Sequence, residues 1–302
     1  MKISVIIPTL NEEKTIEEVI EGFKKQKVSE IIVVDGNSQD ETRRIARRLG
    51  AEVFIQPEKG KGEAVLYGFE KASGDVLVLI DGDATYLPEE LPKLLKPLDE
   101  GCEHVIGKRK FSSGAITKFN MLGNKILNKM FGMFYGEFFS DILTGYRVIT
   151  KDAFERLDLA SMGFGIEPEL LIESIRKRVK ICEVEISYLR RPKGSKTKLH
   201  PLRDGLKIGL TIYRLTRLHN PLFFFGIIGA VFLIIGFFFG TIILQEYFRT
   251  GFVTRIPLTI LSILLLLGGL NFLLIAVIAD LIIMLHKDTM NLIQRLEFSN
   301  KK

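Results

Sequence analysis

The sequence has few Cys and His residues, the types that bind soft metals or cross-link small folds. It contains two Cys and four His among 302 residues, and neither type recurs at the short intervals of a zinc or haem site. Cys102 and Cys182 fall in a region expected to face a reducing cytoplasm. We therefore predict two small core residues there, neither a disulfide nor a metal pair.

The sequence also gives no indication of a nucleic-acid partner. The formal net charge is +6, but basic and aromatic residues do not interleave as they do on nucleic-acid-binding surfaces. The stretch between residues 190 and 218 contains nine Lys or Arg residues and one acidic residue. Because this basic stretch precedes an apolar segment, we expect it to contact anionic lipid headgroups.

Charge is missing altogether from two long segments, 222–244 and 256–279. Each exceeds the ~20 residues that cross a bilayer as a helix, so they predict a membrane hairpin. The short N-terminal apolar run contains Pro8 and does not resemble a signal peptide. With Lys and Arg concentrated before the first span, we expect a multi-pass protein of the cell membrane whose two ends are cytoplasmic and whose loop, 245–255, is outside.

Before the hairpin, strand-like and amphipathic stretches alternate, which predicts a mostly parallel sheet covered by helices. Polar turns at 8–12, 35–38 and 81–83 follow predicted strands, so we expect them to converge at the carboxyl edge of the sheet. Ser38 and Glu41 have the spacing of a helix capping box. Segments 116–139 and 199–218 are amphipathic and predict interfacial helices, although an ordinary core helix would also explain 116–139.

Asp81, Gly82 and Asp83 directly follow the apolar run 76–80. Two carboxylates on a tight turn suit Mg²⁺ or Mn²⁺, which complete their shell with phosphate oxygens. The triplet predicts a site for a metal-bound nucleotide. Taken alone, an ordinary Asx turn explains it as well.

Seven motifs follow one another along the chain: VIIPTLNEE (5–13), IVVDGNSQD (32–40), KGKGEA (59–64), IDGD (80–83), GKR (107–109), DILTGYR (141–147) and GSK (194–196). Together they resemble family 2 glycosyltransferases of GT-A fold, and within them the membrane-anchored polyprenyl-phosphate (dolichyl or undecaprenyl) hexose synthases. The resemblance implies an α/β, Rossmann-like catalytic domain over 1–198. We predict that an amphipathic helix over 199–218 and a membrane domain with a cytoplasmic tail over 219–302 follow it.

The resemblance also implies roles for individual residues. Those matching donor-binding positions are Pro8, Leu10, Glu12, Asp35, Lys61, Asp81 and Gly82. Asp81 and Asp83 match the metal ligands. Asp83, Asp141 and Arg147 match positions close to the chemistry. Those suited to an acceptor phosphate are Arg109, Lys118, Arg147, Arg190, Arg191 and Lys196.

Some positions depart from the family pattern or have a second explanation. Thr85 stands where many relatives carry Gln, which puts a third protein ligand in doubt, and Lys118 stands where relatives often have Arg. Helix capping would account for Glu12 and Asp141, headgroup anchoring for Arg190 and Arg191. Glu167, which opens a predicted helix, is explained equally by capping and by contact with the sugar.

The function implied is metal-dependent, inverting transfer of a hexose from a UDP- or GDP-sugar to a polyprenyl phosphate. The partners implied are the nucleotide sugar, dolichyl or another polyprenyl phosphate, and membrane lipids; a homo-oligomer is left open. Processive polysaccharide synthases are disfavoured because their acceptor signature includes Trp, which the chain lacks. Remaining alternatives are a catalytically silent membrane scaffold, a different acceptor, and a pore formed by the hairpins.

Overall fold

A computed structural model describes residues 1–159, 165–192 and 201–300. The chain forms two compact units, Met1–Ile212 and Tyr213–Lys302. Lys196, expected at the acceptor phosphate, lies outside the described residues.

The first unit is built on a seven-stranded sheet in the order β3-β2-β1-β4-β6-β5-β7. Only β6 runs antiparallel to its neighbours, which confirms the prediction of a mostly parallel sheet. Its strands are β1 (Ile3–Thr9), β2 (Glu30–Asp35), β3 (Glu52–Ile55), β4 (Val76–Leu79), β5 (His104–Phe111), β6 (Arg147–Thr150) and β7 (Ile181–Tyr188).

Helices cover both faces of this sheet. The helices before residue 200 are α1 (Ile16–Lys24), α2 (Thr42–Arg48), α3 (Lys61–Lys71), α4 (Leu91–Asp99), α5 (Lys118–Tyr135), α6 (Lys151–Glu155) and α7 (Ile166–Arg176). Helix α8 (Pro201–His219) follows and includes the boundary between the two units. The four residues of β4 are apolar and buried, as expected of a central strand packed on both sides. One apolar cluster lies beside α1 and α4, the other beside α3 and α7.

The strand register brings the predicted polar turns to one edge. Thr9 pairs with Asp35, and Asp35 pairs with Ile55. Ile6 pairs with Leu79, so β4 ends beside β1. The turns that follow β1, β2 and β4 therefore converge, as predicted.

The predicted capping box is wrong. Helix α2 begins at Thr42, and its N-cap Glu41 makes no side-chain cap. The Ser38 hydroxyl instead bonds to the Asp35 carboxylate at 2.5 Å, while Asp40 accepts from the Thr42 amide at 3.0 Å. The buried carboxylate at the end of β2 binds Ser38 within the turn, so the helix starts later.

The prediction that the two cysteines are unpaired is also wrong. The structure joins Cys102 to Cys182 as a disulfide. Cys102 precedes β5 and Cys182 lies in β7, and these strands are parallel neighbours. The pairing brings together residues that are 80 apart in sequence. Both side chains nevertheless pack in the core, as expected.

The predicted amphipathic segments are helical. Helix α5 exposes Phe119, Leu122 and Ile126 by more than half of their surface, and α8 exposes Leu206 and Leu210 to a similar extent. Apolar residues exposed along a helix that also carries Lys or Arg are typical of the membrane interface.

The second unit contains α9 (Pro221–Thr250) and α10 (Ile256–Asn300). Residues Pro221–Thr250 and Ile256–Leu285 are long and apolar enough to cross a membrane. The two helices approach closely at glycines. The backbone of Gly229 lies against that of Gly269, and the Ser262 hydroxyl donates to the Gly236 carbonyl at 2.8 Å. Small residues at such contacts are typical of packed membrane helices.

Candidate active site

The Asp-Gly-Asp turn lies at the carboxyl edge of the sheet, just beyond β4. The Thr15 hydroxyl, at the start of α1, donates to the Gly82 carbonyl at 2.7 Å. Thr15 is fully buried, and Glu12 beside it is 8% exposed. This hydrogen bond joins the turn that carries the two aspartates to the turn that follows β1.

The Asp81 carboxylate lies directly against the backbone of Gly145. A Cβ at position 145 would overlap this carboxylate, so glycine is needed there for steric reasons. The Gly145 amide donates to the Tyr86 hydroxyl at 2.8 Å. The Asp81 side chain therefore packs against the loop that leads into β6.

Lys61 joins two carboxylates at this site. Its Nζ lies 2.6 Å from Asp81 Oδ1 and 2.6 Å from Glu167 Oε1. Burial alone would lower the pKa of Lys61, but the two carboxylates outweigh burial and raise the pKa. Lys61 opens α3, and Glu167 lies in the first turn of α7. The N-cap of α7 is Gly165, and the Glu167 side chain binds Lys61.

Asp83 is held from two sides. Its Oδ1 accepts from the Thr85 hydroxyl at 2.5 Å and from the Thr85 amide at 3.1 Å, and its Oδ2 is paired with Arg191. Thr85 is 1% exposed. Its hydroxyl therefore supports Asp83 from within and does not reach outward as a third ligand.

The aspartates suit a divalent cation. They supply hard carboxylate oxygens, and each already holds a cationic side chain, Lys61 on Asp81 and Arg191 on Asp83. Among the described residues, no group of three or more His, Cys, Asp or Glu could hold a metal. Two protein carboxylates, with phosphate oxygens and water completing the shell, are the arrangement that Mg²⁺ takes beside a nucleotide.

The structure does not support nucleoside contact by Asp35. Its side chain is fully buried and accepts from the Ser38 amide at 2.8 Å and from the Thr9 hydroxyl at 3.2 Å. Arg43 Nε lies 3.5 Å from it. The end of β2 points this carboxylate inward, where it organises the turn. Leu10 is 42% exposed at the same edge, and Pro8 is half-buried.

On the other side of the edge, Arg109 and Asp141 form a bidentate ion pair. Nε lies 2.5 Å from Oδ2, and Nη2 lies 2.8 Å from Oδ1. The guanidinium also lies over the rings of Phe111 and Tyr188, 5.3 and 5.2 Å from their centroids. Asp141 therefore orients the guanidinium of Arg109.

The structure does not support phosphate contact by Arg147. The residue is 1% exposed, and its guanidinium donates to the carbonyls of Thr144 at 2.9 Å and Ile142 at 2.7 Å. Burial lowers its pKa to about 10. Arg147 is the first residue of β6, and its side chain lies beneath the loop that precedes this strand. Arg147 therefore positions the segment that carries Asp141 and Gly145.

The remaining predicted cations are only partly brought together. Arg191 reaches Asp83, whereas Arg190 is exposed near the loop that precedes α5. Lys118 is exposed at the first turn of α5. Sequence reasoning missed the partnership of Glu167 with Lys61 and missed Tyr86 and Thr15 altogether; only Glu167 had a signal, its place at a helix start.

A parallel sheet with acidic residues and cations at its carboxyl edge defines a nucleotide-binding α/β domain. The sequence profile of glycosyl transferase family 2 matches residues 4–158. Glycosyltransferase AglJ of Haloferax volcanii is 37% identical over 298 residues, covering 98% of each chain. The chain belongs to glycosyl transferase family 2 and is a glycosyltransferase.

Other relatives agree with this assignment. A dolichol-phosphate mannosyltransferase of Pyrococcus furiosus is 34% identical over 72% of this chain and 64% of its own. A dolichyl-phosphate hexose transferase of Haloferax volcanii is 32% identical over 70% and 92%. The glucosyl-3-phosphoglycerate synthase of Mycobacterium tuberculosis, solved with Mn²⁺, UDP-glucose and phosphoglyceric acid, superposes with a TM-score of 0.61 at 28% identity, covering 71% of this chain and 79% of that one. These neighbours support the GT-A fold.

Proposed function

We propose that the protein transfers a hexose from a nucleotide sugar to a polyprenyl phosphate, with inversion, at the cytoplasmic face of a membrane. The observation that carries this proposal is the cluster of Asp81, Lys61 and Glu167 beside Asp83, at the edge of a family 2 domain joined to two apolar helices. Relatives named for dolichyl-phosphate transfer support the acceptor. The neighbour that binds Mn²⁺ and UDP-glucose supports the donor and the cation.

In this proposal, an oxygen of the acceptor phosphate attacks the anomeric carbon while the bond from that carbon to the nucleoside diphosphate breaks. The acceptor is already an anion at neutral pH, so the reaction requires no strong general base. The protein instead holds the two reactants in line, which is a large part of the rate enhancement when reactants are well oriented. The nucleoside diphosphate leaves with the bonding electrons.

The donor side is assigned to the acidic turn. Asp81 and Asp83 would hold Mg²⁺ or Mn²⁺, which when bound neutralises charge that develops on the leaving diphosphate. Lys61 keeps its positive charge because two carboxylates flank it. Glu167, 7% exposed, adds a second carboxylate near Asp81 to accept hydrogen bonds from sugar hydroxyls.

The acceptor side is assigned to the cations at the opposite end of the site. Arg109 is fixed by Asp141 and by the rings of Phe111 and Tyr188, so its orientation does not depend on the ligand. Arg190 and Lys118 are exposed near the amphipathic helix α5, where a lipid phosphate would be presented. In this proposal, the basic residues beside the first span favour the cytoplasmic face for this domain.

The test is transfer of radiolabelled sugar from UDP-glucose, UDP-N-acetylglucosamine or GDP-mannose to dolichyl phosphate by the purified full chain. The proposal predicts label in the organic phase with Mn²⁺ or Mg²⁺, no label with EDTA, and a loss of at least about 100-fold in Asp83→Asn. Asp99→Asn, at an exposed residue outside the site, is the matched control. Folded protein that gives no lipid product with any donor would contradict the proposal.

A further inference from the structure

The side chain of Asn128 bonds to the backbone on both sides of Asp141. Its Nδ2 donates to the Ser140 carbonyl at 2.6 Å, and its Oδ1 accepts from the Ile142 amide at 3.2 Å. Asn128 lies near the middle of α5, whereas the other three residues lie in the loop that leads into β6. One half-buried side chain thus joins the amphipathic helix to the loop at the residue that pairs with Arg109.

A carboxamide satisfies both of these backbone groups because it offers a donor and an acceptor side by side. The Ser140 carbonyl requires a donor, and the Ile142 amide requires an acceptor. A carboxylate would present a second acceptor to the carbonyl, and an aliphatic side chain would bond to neither group. Asn forms helices less readily than Ala or Leu, so the contact with the loop, not helix formation, accounts for Asn128.

The backbone that Asn128 holds determines where the Asp141 carboxylate lies, because only χ1 and χ2 separate this carboxylate from the backbone. In the ion pair, 7% of the Asp141 side chain and 10% of the Arg109 side chain are exposed. A bidentate pair needs both carboxylate oxygens in line with the guanidinium, so a small shift of the loop would break one of its bonds. The exposed Glu183 carboxylate accepts from the Ser140 amide at 2.7 Å, and Asn128 adds the bond to the residue after Asp141.

We infer that Asn128 is a positioning residue for the acceptor side of the site. By holding the residues on either side of Asp141, it fixes the Asp141 carboxylate and, through this carboxylate, the guanidinium of Arg109. The inference rests on the proposed function, because that function assigns Arg109 to the acceptor phosphate. Donor binding should not depend on Asn128, because Tyr86 holds the stretch of the same loop that packs against Asp81.

The first test measures how fast Arg109 reacts with phenylglyoxal, read by peptide mass spectrometry of the detergent-solubilised full chain. Reaction requires the pair with Asp141 to open, so the rate follows the open fraction. Asn128→Asp sets a carboxylate against the Ser140 carbonyl and should raise the Arg109 rate by at least about fivefold, the effect of losing one hydrogen bond. Asn128→Ala removes both bonds without adding charge and should have the same effect, which keeps the test decisive if the Asp variant does not fold.

Asn124→Asp is the matched control. Asn124 lies one turn earlier on α5, and in the described part of the chain it makes no hydrogen bond with residues 140–142. This change adds the same charge to the same helix, so the Arg109 rate should stay within about twofold of the original. An Arg109 rate that is unaltered in both Asn128 variants would overturn the inference.

The second test uses kinetics to separate positioning from general stability. Asn128→Ala should raise the KM for dolichyl phosphate by about fivefold, while calorimetry finds the affinities for UDP and GDP in Mn²⁺ changed by less than about twofold. A smaller folded fraction would instead lower kcat and leave this KM unaltered. In an Arg109→Met background, Asn128→Ala should change kcat/KM by less than about twofold, because the residue that it positions is gone. An unaltered KM, or the full loss in that background, would contradict the inference.

The labelling test contains no acceptor, so it separates this inference from the proposed function. Absence of lipid transfer with every donor, alongside faster labelling of Arg109 in the Asn128 variants, would refute the proposed function and support the positioning of Arg109. Lipid transfer by variants whose Arg109 labelling and KM are unaltered would refute only the inference.

Discussion

Replacing Lys61 by Met should destabilise the catalytic unit in a way that a divalent cation reverses. Both of the Lys61 contacts are 2.6 Å long, so the Asp81 and Glu167 oxygens lie no more than about 5.2 Å apart. At an effective dielectric constant of about 20, two negative charges at that separation repel by about 3 kcal/mol. Because the Asp81 side chain is 26% exposed, solvent reduces this value, and we expect a loss of about 1–3 kcal/mol.

The assay is thermal unfolding of the full chain in detergent, in EDTA and in Mn²⁺. A loss of this size corresponds to a fall in the unfolding midpoint of about 3–10 °C for a unit of this length. Mn²⁺ should raise the midpoint more in Lys61→Met than in the unchanged protein, because the cation then replaces the missing ammonium. Lys59→Met, at an exposed position two residues earlier, should leave the midpoint nearly unchanged. The reasoning fails if Lys61→Met unfolds at the original midpoint in EDTA, or if Mn²⁺ shifts both proteins equally.

Three further predictions concern other charges and the disulfide. Arg191→Gln should tighten Mn²⁺ binding without nucleotide by about fivefold, because no cation then has to leave Asp83; weaker binding in calorimetry would refute this competition. Burial lowers the pKa of His104 well below its usual value, so at low pH the unfolded chain binds a proton that the folded chain does not. The free energy of unfolding should therefore fall as the pH drops below about 6.5, by up to ~1.4 kcal/mol per pH unit. His104→Asn cannot take up that proton and should lose this part of the pH dependence of unfolding; an unchanged slope would contradict the assignment. The disulfide between Cys102 and Cys182 closes a loop over a separation of 80 residues. Breaking it should lower the free energy of unfolding by up to about 4.5 kcal/mol if the effect is entropic. Dithiothreitol should therefore lower the melting midpoint of the unchanged protein but not that of the double Ala variant.

The sheet and the apolar helices follow from short-range regularities in the sequence. The run of apolar residues in β4 is typical of a central parallel strand, and the two charge-free segments need only length and hydropathy to be recognised as spans. The place of Asp81 and Asp83 follows from the same logic, since they come directly after a buried strand. These features depend on neighbours in sequence.

The capping box failed because of a local contact between Ser38 and Asp35, but other errors concern partners that are distant in sequence. The disulfide depends on β5 and β7 being adjacent, and the pairing of Lys61 with Glu167 joins residues 106 apart. Residue type identified Arg147 as a candidate phosphate ligand, but whether a guanidinium faces solvent or the loop beneath depends on the strand to which it belongs. Motif spacing carries no information about these tertiary contacts.

The central claim is that a lipid phosphate accepts the sugar. The most direct test offers the full chain one labelled donor, UDP-glucose, with dolichyl phosphate and 3-phosphoglycerate present together, because the structural neighbour is named for the second acceptor. Dolichol without phosphate serves as the matched control. The account predicts that label enters the organic phase only when dolichyl phosphate is present, and that mass spectrometry finds one hexose added to the lipid phosphate. Label recovered on phosphoglycerate, with none in the lipid, would contradict it.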